Sequence, residues 1–221
     1  MARLQWGRTG ERFYETGTDR GVLFKQDDNG ESLAGVAWTG LASVNQSPEG
    51  AEPTDLYADN GKYITLRSAE DFNFTIEAYQ YPKEFAECDG SAEVIPGVFL
   101  GQQARVPFNF AYRTVKGNDT QKNNLGHKLH LIWNATAAPS ERAYETINDD
   151  PDAILFSWEC ETVPQDVTVE DLETSAAYLS IDSTIVTAAQ WKTITDTIYG
   201  TVEDEPRMPS IDEVITLLNT P

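Results

Sequence analysis

Two histidines, two cysteines and a dense population of acids are the residues of this 221-residue chain whose chemistry could exceed a structural role. His127 and His130 resemble a metal pair. On a strand, a separation of three sends two side chains to opposite faces, so these two cannot share one ion and read as ordinary histidines. Cys88 lies in EFAECDG and Cys160 in SWECE. Neither has CxxC spacing or a base beside it in sequence, so both read as structural thiols rather than nucleophiles. The acidic runs DDPD (149–152) and EDE (203–205) lack the alternating oxygen ligands and the glycine of a calcium loop, and read as solvated turns. Glu159 and Glu161 share one strand face about 7 Å apart, a separation that a pair of glycosidase carboxylates could use. With 36 Asp and Glu in the chain, such pairs arise often by chance. There is no GxGxxG, no Walker-type loop and no GxSxG. Asn-x-Ser/Thr sequons occur at Asn45, Asn73, Asn118 and Asn134, two of them inside expected strands. The chain therefore reads as a non-enzyme without catalytic, metal or cofactor site.

The elements that carry these residues are mainly β up to about residue 165. Residues 33–44 predict one strand or a bent pair, since Gly35 and Gly40 permit a bulge. Residues 45–54 predict a turn-rich loop, and 62–68 a strand. In 72–81, Phe72, Phe74, Ile76 and Ala78 alternate with Asn73, Thr75, Glu77 and Tyr79. That period of two predicts one buried and one polar face. In 105–115, Val106, Phe108, Phe110 and Tyr112 oppose Arg105, Asn109 and Arg113. Residues 116–126 predict an exposed loop, 127–136 a strand, and 153–163 another with Ile154, Phe156, Trp158 and Cys160 facing inward. Ser140 is placed to cap a short helix over 141–148. Residues 164–175 read as an acidic loop and 176–186 as a strand. Thr187 with Gln190, and Ser210 with Glu213, have the spacing of capping boxes, so two short helices are expected near the end.

Charge narrows the functional classes. Sixteen Lys and Arg against 36 Asp and Glu give a formal charge of −20. Such a surface does not grip nucleic acid through its phosphates and is repelled by anionic membranes. No run approaches the ~18 apolar residues of a membrane helix. The N-terminal residues lack the apolar core of a signal peptide, which predicts synthesis in a reducing cytosol with both thiols free.

Five blocks together resemble one family. They are RFYETGTDRGVLF (12–24), GVAWTGLASVNQSPEGAEPTDLYADNGKY (35–63), AYQYPKEFAECDGSAE (78–93), YRTVKGNDT (112–120) and HKLHLIWNATAAPSERAYETINDDPDAILFSWECETVP (127–164). They are similar to the major tail protein, the tail tube protein of long-tailed, non-contractile bacteriophages. The resemblance covers roughly residues 10–165 and continues through IDSTIV (181–186). It implies a mainly β fold, a β-sandwich or small barrel with a flanking short helix and a C-terminal helical segment. It divides the chain into an N-terminal arm (1–24), a tube domain (25–186) and a helical segment (187–221). It further implies stacked hexameric rings, assembled in the host cytoplasm and resident in the virion tail. The implied partners are other copies of the chain, a tape measure protein, and the tail terminator and distal tail proteins. Genomic DNA passes through without being bound, no membrane is involved, and no cofactor is used.

Under that resemblance the charge gains a purpose. Six copies would carry a formal charge of roughly −120, and a negative wall repels a polyanion over the ~10 Å Debye length. The polar faces of 72–80 and 153–163 nominate Glu77, Glu159 and Glu161 for the lumen, with Thr75 and Ser157 as neutral neighbours. The alternative is that these acids are merely solvated on an outer face. Arg105 and Arg113 are expected to pair with acids between subunits. Two other classes stay open from the residues alone. A carbohydrate-binding sandwich would need exposed aromatic platforms, whereas Trp38, Trp133 and Trp158 sit in patterns that read as core. A hydrolase would need a cleft around paired acids such as Glu159.

Overall fold

The computed structural model describes residues 3–50, 52–147, 152–169 and 172–219. In chain order it contains β1 (Phe13–Lys25), β2 (Val36–Trp38), β3 (Leu41–Gln46), β4 (Glu49–Gly50), β5 (Pro53–Ala58), β6 (Gly61–Arg67), β7 (Glu70–Asp71) and β8 (Asn73–Ala78). A one-turn helix α1 (Phe85–Cys88) precedes β9 (Ala92–Ile95), β10 (Val98–Leu100), β11 (Phe108–Asn118) and β12 (Lys122–Ala137). Then come β13 (Phe156–Thr162), β14 (Gln165–Val169), β15 (Leu172–Ala176), β16 (Tyr178–Asp182), α2 (Ala188–Tyr199) and α3 (Ile211–Asn219). The fold is mainly β, with short helices, as expected.

One antiparallel sheet of eight strands dominates, in the order β2-β1-β11-β12-β13-β8-β3, with β16 also on β12. The long strand β12 pairs with β11 along one edge and with two further strands along the other. Lys128–Ile132 pair with β16, whereas Ala135–Ala137 pair with β13. The change occurs at Asn134, whose φ of 51° places it in the left-handed region that asparagine tolerates better than most residues. A polar knot holds this kink. Asn109 Oδ1 accepts from the Asn134 backbone N–H, and Gln26 Nε2 donates to the side-chain oxygens of both asparagines. Gly40, at φ 84°, turns the chain from β2 into β3, which explains the bent pair expected over 33–44.

Alternation along the strands builds two cores. On one face of the sheet, Trp38, Phe74, Ile76, Phe110 and Trp158 are buried with Phe85 and Cys88 of α1. On the other face, Val22, Phe24, Leu129, Leu131, Trp133 and Ile181 meet Ile194 and Ile198 of α2 and Ile211 and Val214 of α3. Both expected helix starts are formed. Thr187 and Gln190 make the reciprocal capping box, and Ser210 Oγ accepts from the Glu213 N–H. Trp133 Nε1 donates to the Pro209 carbonyl at 2.9 Å, tying the segment before α3 to the sheet. Thus Val22–Phe24 of β1, Phe108–Tyr112 of β11 and Leu129–Trp133 of β12 are covered on both faces, while the second face of β8 is half-buried and that of β13 is exposed at Glu159 and Glu161.

Several local expectations change. Residues 141–147 are not helical. Arg142 instead pairs with Asp89 and lies over the rings of Tyr81 and Phe156, so tertiary contacts override the capping signal. Residue 148, the expected helix end, is outside the described residues, as are three of the four residues of DDPD. The expected loop over 45–54 contains β4 and the start of β5. The loop over 116–126 is a tight hairpin tip, with Asn118 Oδ1 accepting from the N–H groups of Thr120 and Gln121. The loop over 164–175 is the hairpin β14–β15. Residues 13–24, expected within an arm, form most of β1 and pair with β11.

Candidate functional site

This second face of β3, β8 and β13 collects all five residues nominated from the polar pattern. Glu77 lies opposite Ser157 on β13 and Ser43 on β3, and Thr75 lies opposite Glu159 and Asn45. Glu161 lies opposite Asn73. Ser43 Oγ donates to Glu77 Oε2 at 2.6 Å. Among the described residues, no Lys or Arg pairs with Glu77, Glu159 or Glu161. The face is therefore acidic and uncompensated within the subunit.

The two nominated arginines are engaged inside their own chain. Arg113 makes a two-pronged contact with Asp19, at 2.8 and 2.6 Å. Its guanidinium holds the Asp19 carboxyl below the usual range. Arg105 donates to the Ala137 carbonyl at 3.0 Å and pairs with Asp89, which Arg142 also engages. An intersubunit role for either would require exchanging these partners.

Trp38, Trp133 and Trp158 are core residues, so they form no exposed platform. Cys88 and Cys160 are buried, and burial pushes the Cys88 thiol up to about 12 and raises that of Cys160. Among the described residues, no three His, Cys, Asp or Glu side chains gather as a metal-binding group, and no helix is long and apolar enough to cross a membrane.

The more conspicuous surface was half visible in the sequence, which predicts a strand at 62–68 but not its partner over 53–58. Among the described residues, strands β5 and β6 form a ribbon that pairs with no other strand. Its two-residue turn, Asp59–Asn60, has both φ values positive, at 50° and 61°, the geometry of a type I′ hairpin. Leu56 faces Ile64 and Thr54 faces Leu66 across one side. On the other side Asp55 is bonded to both Lys62 and Thr65. Every residue of the ribbon except Thr65 is exposed, Leu56, Ile64 and Leu66 among them. The hairpin β9–β10 also exposes Val94, Ile95, Val98, Phe99 and Leu100.

His130 is buried and lines an open cavity beside β3 with Tyr112 and Tyr178. Its ring stacks on Tyr112 at 4.5 Å, with Nδ1 2.7 Å from the Tyr178 hydroxyl and Nε2 2.9 Å from Thr114 Oγ1. Glu15 Oε1 is 3.3 Å away. Burial outweighs that carboxylate and pushes the imidazole down to about 4. Unfolded, the ring titrates near 6.5. As pH falls between these values, the unfolded chain takes up a proton that the folded chain refuses, so stability is lost across that window. At pH 4.5 this loss amounts to ~2–3 kcal/mol relative to pH 7. Urea denaturation at the two pH values should therefore show a smaller drop for His130→Gln than for the unaltered protein. Equal drops would contradict the assignment.

No family model matches this chain, and no curated protein matches it. Among solved structures it is similar to a chain of the sheath-tube complex, in the extended state, of the PVC extracellular contractile injection system. That likeness has 10% identity, covers 81% of this chain and 94% of the other, and has a TM-score of 0.37. A chain of the sheath/tube terminator of the same system, also extended, is similar at 10% identity, with 81% and 99% covered and a TM-score of 0.33.

Proposed function

We propose that this chain is the structural subunit of a phage tail tube of the long-tailed, non-contractile kind, built of stacked hexameric rings that form a negatively charged conduit for DNA ejection. The observation that carries this reading is the β5–β6 ribbon. A two-stranded ribbon by itself is marginal in water, and this one leaves Leu56, Ile64 and Leu66 uncovered on one side. Such a side is completed by association, and the sequence blocks given above supply the kind of assembly. In this reading the ribbon bridges copies of the chain. The acidic face with Glu77, Glu159 and Glu161 lines the bore, where unpaired carboxylates keep the phosphates of passing DNA from adhering. The tape measure, terminator and distal tail proteins meet the bore and the two ends. Assembly takes place in the bacterial cytoplasm and the product resides in the virion tail.

Negative-stain microscopy of the purified protein tests the reading. Rings or hollow rods are expected. A monomer that persists at every concentration overturns it.

A further inference from the structure

The turn after α1 carries an acid that the fold draws inward. The Asp89 N–H closes α1 on the Phe85 carbonyl at 3.0 Å, and Phe85 and Cys88 beside it are core residues. The Asp89 side chain is left only 7% exposed. A carboxylate removed from water needs cationic or hydrogen-bonding partners, and two arrive from distant parts of the chain. Arg105, just before β11, donates through Nη1 to Asp89 Oδ1 at 3.4 Å and to the Ala137 carbonyl at 3.0 Å. Arg142, beyond β12, engages Asp89 Oδ2. Its guanidinium also lies 5.8 Å from the ring centres of both Tyr81 and Phe156.

These three side chains line an open cavity of about 510 Å³, within the span of about 300–1,000 Å³ that small-molecule sites occupy. The rest of its lining is neutral: glycine, serine, glutamine and proline. Two guanidinium groups therefore share one carboxylate, and the cavity is left with surplus positive charge. With 16 Lys and Arg against 36 Asp and Glu in the chain, such a surplus runs against composition. The backbone is committed to it as well. At Gly90, with φ 77°, a Cβ would lie 3.2 Å from the Gln103 carbonyl oxygen and 3.4 Å from Arg105 Cγ. Gln102 holds a left-handed φ of 63°, a conformation that glutamine rarely adopts. The Gln103 N–H on the Gly90 carbonyl, at 3.0 Å, keeps this wall in place.

We infer that the cavity is a binding site for a small oxyanion, the carboxylate or phosphate group of a solute. Asp89 orients both guanidinium groups without exhausting them. Among the described residues, their remaining N–H groups meet no other acceptor. An oxyanion bridging the two forks supplies those acceptors and cancels the surplus charge, through charge-assisted bonds of the strong class. The ligand is small for two reasons: the cavity bounds its size, and the overall charge of −20 repels a polyanion. The site is independent of the assembly proposed above.

Calorimetric titration of the full chain with inorganic phosphate, and separately with acetate, tests this. Saturable binding of at least one is expected, and the tighter of the two tells a phosphate carrier from a carboxylate carrier. Arg142→Gln should weaken that binding about tenfold, the worth of one charge-assisted hydrogen bond. Asp89→Asn should strengthen it, because the competing negative charge leaves while the amide oxygen still accepts from an arginine. If Arg142→Gln alone does not fold, Asp89→Asn with Arg142→Gln leaves no buried carboxylate short of a partner, and it should bind more weakly than Asp89→Asn. No saturable binding of either anion overturns the inference, and so does failure of either substitution to move the affinity in its stated direction. Tighter binding of a DNA oligonucleotide than of phosphate or acetate also overturns it.

Discussion

Leu56→Asp combined with Ile64→Asp is expected to leave a folded monomer that no longer assembles. These two side chains face one another on the uncovered side of the β5–β6 ribbon, 44% and 45% exposed. Fully burying an aliphatic side chain of this size contributes about 1.5–3 kcal/mol, and a little under half of each surface is still free to be covered, so the pair supplies about 1–3 kcal/mol to any contact that covers it. Replacing them with carboxylates removes that gain and adds two charges whose burial without a partner is unfavourable. Because the proposed stacked assembly would repeat the contact in every subunit, the expected effect on polymer is close to all-or-none. Light scattering and microscopy should show loss of rods. The melting curve of the monomer should barely move, because among the described residues the ribbon pairs with no other strand of its own chain. Normal rods from this variant would exclude the ribbon as an assembly contact.

The opposite pattern is expected for Trp158→Ala. Trp158 is 1% exposed, with ring centroids of Phe85 at 5.1 Å, Tyr81 at 5.3 Å, and Trp38 and Phe156 at 5.7 Å. Truncating a buried aromatic costs about 3–5 kcal/mol, through lost transfer energy and the cavity left behind. Domains of ordinary stability hold only about 5–15 kcal/mol, so the folded state itself is threatened. At roughly 2–4 °C per kcal/mol for a chain of this size, Tm should fall by about 6–20 °C. Calorimetry or urea denaturation measures it, and a loss below ~1 kcal/mol would mean that this cluster can collapse around the gap. The first variant thus separates assembly from folding, and the second acts on folding first.

What the sequence made legible follows from how each element is buried. Residues 72–81 and 105–115 alternate because one side of each strand enters the aromatic core, so both were readable as strands. The capping spacing of Thr187 with Gln190 is local and was readable for the same reason: every partner lies within three residues. Strand β6 was readable at 62–68, whereas the start of β5 and the ribbon β14–β15 were read as loops because so few of their residues enter the core that little alternation of burial is imposed. The helix expected over 141–148 failed through Arg142, whose partner Asp89 is distant in sequence. Arg113 shares its strand face with buried Asn109 and Ala111 rather than with solvent, and its partner Asp19 is 94 residues away, farther than any spacing rule reaches. The kink at Asn134 was equally hidden, since it depends on Gln26 and Asn109 arriving from two other strands. The five nominated residues of the acidic face were found together because strand pairing preserves a pattern of two from one strand to the next.

Strand β12 has a mechanical consequence. It belongs to the half of the sheet under the helices and, past Asn134, to the half that bears the acids. Both halves are therefore slung on one covalent backbone, across a kink at Asn134 that Gln26 and Asn109 hold. Pushing or twisting one half against the other must stretch that backbone or shear its hydrogen bonds, so the subunit responds as a single stiff body. In the column proposed above, compliance would accumulate with every layer, and rigidity inside each piece would leave the joints alone to set how far the column bends.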